Sequence, residues 1–218
     1  MIVPELNTDH LARLPVFPLP GGIFLPDTAM PLHIFEPRYR ALARHCTLNK
    51  WPLAVTSILP GHEEQQPGAP PFEAIAGAGD ILFNKELPDG RFLIVLRGLC
   101  RVRLFELDTD TAWREARAAV LPDTWPDDHR GLDGATETMI SLIRAAGARH
   151  PGLASLAAEI DASNAPPDIL THAVATRITE GPDRQRVLET CDVGARVDLM
   201  NDFLAGLLAG MTGPSTLH

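Results

Sequence analysis

Between Leu14 and Phe35 the chain is apolar yet broken by Pro18, Pro20, Pro26 and Pro31, and that combination excludes a helix. A proline inside a helix loses a backbone hydrogen bond and clashes with the preceding turn, at a cost of about 3 kcal/mol. Such a stretch can form short extended runs, bends and sheet edges. Three runs follow: Leu14 to Leu19, Gly22 to Leu25 and Ala29 to Phe35, with Leu32, Ile34 and Phe35 expected to pack a core. Proline is tolerated in a first helical turn, so Pro37 opens a helix to about Leu48 with Tyr39, Leu42 and Ala43 at helical spacing.

Leu53 to Leu59 reads as a further strand, and the Pro/Gly-rich polar segment 60–71 as an exposed, mobile loop. From Gly79 onward the pattern is a meander. One strand covers about Asp80 to Leu87, and Pro88-Asp89-Gly90 makes the turn. Arg91 to Arg97 is the next, a break falls at Gly98, Arg101 to Asp108 follows, and Trp113 to Leu121 is the last. Short strands without alternating helices favour a small barrel over a parallel sheet.

The pattern then becomes helical. Gly134 to Ala148 carries a stripe of Met139, Ile143 and Ala146. Asn164 is placed to cap a helix bearing Leu170, Val174 and Ile178, which Gly181-Pro182 should end. Asp183 and Asp192 can each cap a later segment, and Val197, Met200, Phe203, Leu204, Leu207 and Leu208 share one face of the last helix. The organisation expected is a barrel over 10–121, a linker over 122–133 and a helical part over 134–211.

Charge narrows the function classes. The chain has 218 residues and a formal net charge of −9, which opposes a general nucleic-acid or anionic-membrane binder. Residues 1–121 hold 12 basic against 14 acidic side chains, and the remainder 7 against 14, so an anion site belongs in the first half. Three cysteines without short spacing indicate neither a disulfide framework nor a zinc ribbon. The first residues show no leader pattern and no apolar run reaches the roughly 18–20 residues of a bilayer span, so a soluble, cytoplasmic protein with no membrane partner is expected.

Familiar catalytic signatures are missing. Lys50 and Lys85 are the only lysines and neither follows a glycine, so there is no phosphate-binding loop; no G-x-S-x-G occurs, and the eight histidines have no metal-ligand spacing. Arg101 and Arg103 lie two apart on one strand face, and with Arg97 they form a candidate anion or RNA face. The plainer reading is a solvated face paired with carboxylates such as Glu106. Cys100 reads as a small core residue rather than a nucleophile.

The stretch 14–46 resembles the start of the Lon protease amino-terminal domain, whose members carry an LPLFPL-like strand, a proline-punctuated run and then PLHIFEPRY. Leu14 to Leu19 match the first element, and Pro31, Leu32, His33, Ile34, Phe35, Glu36, Pro37, Arg38 and Tyr39 match the last without a gap. A hairpin similar to the family's LPDG and (V/L)xGxxR(F/V)R follows at Leu87 to Arg103, with Gly98 at the family's glycine. Leu188 to Leu204 is similar to its final helix pair, and the resemblance spans roughly 13–210.

The resemblance implies an α+β fold: a small PUA-like β-barrel followed by a C-terminal α-helical bundle. In full Lon proteases this domain precedes an ATPase and a Ser–Lys protease domain and helps to recognise substrates and assemble the ring. The chain is similar to stand-alone bacterial members of the family. The expectation is a non-catalytic protein- or peptide-binding module, an adaptor or quality-control factor, with no ATP site, catalytic dyad, metal or cofactor. Its expected partner is unfolded or extended polypeptide, or a protease or chaperone; oligomerisation is left open. Candidate contact residues are His33, Phe35, Glu36, Arg38 and Tyr39, beside the loop 60–71. Glu36 suits the helix dipole, Arg38 can fork onto a carboxylate, and Tyr39 offers a broad apolar ring with one hydroxyl. The competing reading is that this block only builds the barrel–helix junction. The alternative function is an RNA-binding PUA-like module using Arg97, Arg101 and Arg103, and an enzyme with an unrecognised site is the remaining rival.

Overall fold

A computed structural model describes residues 6–65, 68–148, 150–163 and 165–212. The chain divides into two compact units, Met1–Pro122 and Asp123–His218. The first contains α1 (Thr8–Ala12), β1 (Leu14–Leu19), β2 (Ala29–Ile34), α2 (Pro37–Asn49), β3 (Leu53–Ser57), β4 (Ile75–Glu86), β5 (Phe92–Leu107) and β6 (Arg114–Val120). The second contains α3 (His129–Gly147), α4 (Pro151–Ser163), α5 (Pro167–Ile178), α6 (Gly181–Glu189) and α7 (Val193–Thr212).

The strands form one sheet in the order β2-β5-β4-β3-β1-β6, and a further pairing of β5 with β6 closes it into a barrel. β1 and β3 are parallel, as a connection through α2 requires, and the other pairs are antiparallel. β1 lies inside the ring although it contains Pro15 and Pro18. Pro15 stands opposite Glu115 of β6 and Pro18 opposite Thr56 of β3, and the two pairings overlap only at Val16. Each proline therefore has a paired neighbour on one side only, which spares the ladder the missing N–H.

Two details depart from the sequence expectations. Gly22 to Leu25 is not a strand; Ile23, Phe24 and Leu25 are buried and cross the sheet at positions kept open by glycine. A Cβ on Gly77 would stand 1.8 Å from the Phe24 carbonyl oxygen, and one on Gly98 2.2 Å from that of Leu25. Gly98 is accordingly no break. β5 runs through it for 16 residues, and the register shifts there so that Gly79 faces Gly98 while Ala78 faces Cys100. The loop 60–71 is exposed over most of its described residues, as expected; Arg38 donates to the Gly68 carbonyl and Arg114 to that of Pro70.

In the second unit the expected stripe of Met139, Ile143 and Ala146 is buried. α3 starts at His129, inside the stretch read as a linker, because the Asp128 carboxylate accepts from the Gly131 N–H and caps it. α4 went unread although Leu153, Leu156 and Ile160 are buried at helical spacing. Asn164 lies outside the described residues. Gly181 and Pro182 open α6 rather than end α5, whose last carbonyls, at Thr176 and Thr179, accept from Arg184. Asp183 sits in the first turn of α6 without capping it, whereas Asp192 accepts from the Ala195 N–H at the start of α7. Among the described residues no helix is long and apolar enough to cross a membrane.

Candidate functional site

The register places β2, the first half of β5 and the second half of β4 side by side, with alternate residues facing outward. His33, Leu93 and Lys85 form one row across the three strands, and Pro31, Val95 and Phe83 form the next. A third row joins Ala29, Arg97 and Asp80, where Arg97 makes a two-pronged ion pair with Asp80 at 3.1 and 2.6 Å. The shift between Ile81 and Phe83 leaves Leu82 as an extra residue on the strand.

The inward residues Ile34, Phe92, Ile94 and Leu96 are buried, whereas Phe35 is 61% exposed, Leu82 63%, Phe83 52% and Leu93 39%. Exposed apolar residues are ordinary singly; clustered on a rigid surface they mark contact sites. Among the described residues β2 pairs with β5 alone and so forms an edge of the strand order, although Pro31 supplies no N–H there.

The five candidates from the block Pro31 to Tyr39 separate. His33 and Phe35 belong to this face, their rings 6.3 Å apart. Phe35 thus does not pack the core as expected, because it follows the last inward residue of β2 and turns to solvent. Glu36 holds the N-cap position of α2 but its carboxylate makes no cap; it pairs with Arg38 at 3.1 Å. Arg38 also stacks 4.5 Å over the Tyr39 ring. Tyr39 is buried against Phe17, ring centroids 4.3 Å apart, so its ring packs the junction between the strands and α2 and presents no open surface. Burial pushes its phenol above the ordinary value, against the pull of Arg38.

The three arginines proposed as an anion face do not assemble. Arg97 is committed to Asp80, and Arg101 is 2% exposed and donates to the Leu121 carbonyl where the chain leaves β6. Arg103 is exposed, and Glu106 pairs with Arg114 rather than with Arg101 or Arg103. Leu82, Phe83 and Leu93 were not singled out in the sequence. Arg91 to Leu96 reads RFLIVL, apolar on both faces, so alternation does not tell which side meets water.

Reactive groups are sparse. A cleft of ≈ 320 Å³ is lined by Cys46, Thr47, Lys50, Trp51, Asp80, Ile81 and Asn84. Burial pushes the Cys46 thiol up to about 12 and that of Cys100 up to about 11, so neither supplies a thiolate near neutral pH. Iodoacetamide at pH 8 is expected to label the half-exposed Cys191 and spare Cys46 and Cys100, as read by mass spectrometry. Because both folded values lie above the unfolded one, the folded state keeps protons that the unfolded chain releases. Stability is then lost as pH rises beyond about 9, by roughly 1.4 kcal/mol per pH unit for each thiol. Among the described residues no three His, Cys, Asp or Glu side chains are grouped to hold a metal ion.

Comparison with known proteins gives a consistent answer. The model of the ATP-dependent protease La (LON) substrate-binding domain matches residues 13–206. The Lon protease of Anaeromyxobacter dehalogenans is 24% identical over 197 residues, covering 90% of this chain and 23% of that protein. Lon protease 2 of Myxococcus xanthus is 24% identical over 201 residues, covering 91% and 24%. The chain therefore spans about a quarter of the length of these relatives.

Two solved structures share the fold. The N-terminal domain of the Mycobacterium avium complex Lon protease superposes with a TM-score of 0.67 at 18% identity, over 88% of this chain and 98% of that one. The Lon N-terminal domain protein from Xanthomonas campestris gives 0.55 at 24% identity, over 91% and 98%. On the family match and the fold together, the chain belongs to the ATP-dependent protease La (LON) substrate-binding domain family.

Proposed function

We propose that the chain is a non-catalytic polypeptide-binding module that takes up unfolded or extended segments on the outer face of β2, β5 and β4. The observation that carries this reading is the clustering of Phe35, Leu82, Phe83 and Leu93 in water on that rigid surface. Extended chain would lay apolar side chains over Phe83 and Leu93 while its backbone adds to the edge strand β2. His33 lies on this face and Arg38 at its border, while Glu36 and Tyr39 hold the helix that follows it. An adaptor or quality-control role in the cytoplasm, handing clients to a protease or chaperone, follows from the same reading. The RNA alternative has less behind it, since Arg97 and Arg101 are already engaged.

The test is fluorescence anisotropy with a labelled, reduced and alkylated polypeptide. The parent protein is expected to bind, and Phe35→Ser, Phe83→Ser and Leu93→Ser combined to weaken binding roughly tenfold or more at an unchanged melting temperature. An unchanged affinity in that variant rejects this face. No binding by the parent rejects the module.

A further inference from the structure

The outer surface of β5 and β6, in the other half of the barrel strand β5, carries the charges of Arg103 and Arg117, and the carboxylate on the same face of β6, Glu115, is paired with Arg13. Phe105 faces Arg117 across the pair, and Arg103 faces Ala119 two residues along, so all four share that surface. Phe105 is 42% exposed and lies 4.5 Å beneath the Arg117 guanidinium. Arg103 and Arg117 are both exposed, and among the described residues neither guanidinium forms an ion pair. The other arginines of the two strands are spoken for: Arg114 by Glu106 and Arg101 by the Leu121 carbonyl. In a chain of net charge −9 this is a local excess of two positive charges around an exposed aromatic ring.

From these residues we infer that the Arg103–Phe105–Arg117 surface docks an acidic segment of a partner polypeptide. An extended segment presents side chains on one face at every second residue, the repeat that also sets Arg103 and Phe105 side by side. Carboxylates can then be forked by the two guanidiniums, and an apolar residue between them can rest on Phe105. A nucleic-acid strand fits less well. The cationic patch is two residues wide, too short to follow a run of successive phosphates. This surface is separate from the apolar face of β2, β5 and β4, and the inference does not depend on that face binding anything.

The experiment is anisotropy with three labelled probes: a glutamate-rich dodecapeptide with a central phenylalanine, the same peptide with glutamine for glutamate, and an oligouridylate of equal length. The acidic peptide is expected to bind, more weakly as salt rises, and the glutamine peptide to bind at least tenfold less tightly. Arg103→Gln with Arg117→Gln should lower the affinity for the acidic peptide at least tenfold. Arg103→Lys with Arg117→Lys should restore part of it, and Phe83→Ser should leave it intact. All substituted positions are exposed, and thermal unfolding checks that each variant keeps the parent's stability. Equal binding of the glutamine peptide, tighter binding of the oligouridylate, an unchanged glutamine double variant, or loss only in Phe83→Ser overturns the inference.

Discussion

Gly77→Ala is expected to destabilise the barrel by about 3 kcal/mol or more, read as the loss of the cooperative urea transition monitored by circular dichroism. The added methyl would stand 1.8 Å from the Phe24 carbonyl oxygen and 2.7 Å from its carbon. Those are backbone atoms, so no rotamer change relieves the overlap. The whole crossing segment from Ile23 to Leu25 would have to lift from the sheet, exposing three buried apolar side chains. A matched control is Gly134→Ala on α3, where nothing lies within 4 Å of the new methyl. There a gain of roughly 0.5–1 kcal/mol is expected from helix propensity. Equal effects of the two substitutions would show that the crossing segment does not press on β4.

Arg196→Ala is expected to cost the helical unit about 3–5 kcal/mol. Arg196 is wholly buried. Its guanidinium forks onto the Asp123 carboxylate at 2.8 and 2.7 Å and also donates to the Thr171 hydroxyl and the Thr190 carbonyl, each at 2.9 Å. These bonds join α5, the end of α6 and the chain entering the unit to the first turn of α7. Truncation would strand a half-buried carboxylate and two further polar groups at once. Arg196→Met combined with Asp123→Leu should recover much of the loss, because removing both charges also removes their desolvation cost. A double variant as unstable as Arg196→Ala would mean that the hydrogen bonds to Thr171 and Thr190 dominate.

The strands and the main helices were legible because proline, turn and periodicity signals act locally. Leu14 to Leu19 and Pro37 onward could be read from the proline positions alone, and the Met139, Ile143 and Ala146 stripe from spacing. What failed was tertiary in origin. Gly98 reads locally as a break, yet β5 continues through it with a register shift, and its lack of a side chain serves the Leu25 backbone. Gly22 to Leu25 has the composition of a strand, and it is a covering segment because the sheet beneath it is built of glycine and alanine. The candidate face shows the same limit. His33 and Phe35 were reached through the block around them, whereas Phe83 and Leu93 sit in runs whose two faces are equally apolar. Arg101 and Arg103 have the spacing of neighbours on one face, but Arg101 is covered and donates to the Leu121 carbonyl whereas Arg103 is exposed, a difference no local pattern carries.

The length of β5 also orders the events by which the barrel is assembled. With β4 it forms a hairpin whose turn, from Leu87 to Arg91, is local, so this pair can zip early at little loop-closure cost. β2 and then β6 add to opposite halves of the same strand, and closure against β1 brings together residues about a hundred positions apart, such as Leu14 and Ala116. Amide hydrogens in the middle of β5 should therefore exchange slowest in the first unit. Those of β1 facing β6 should open first, as a seam in a ring that is otherwise continuous.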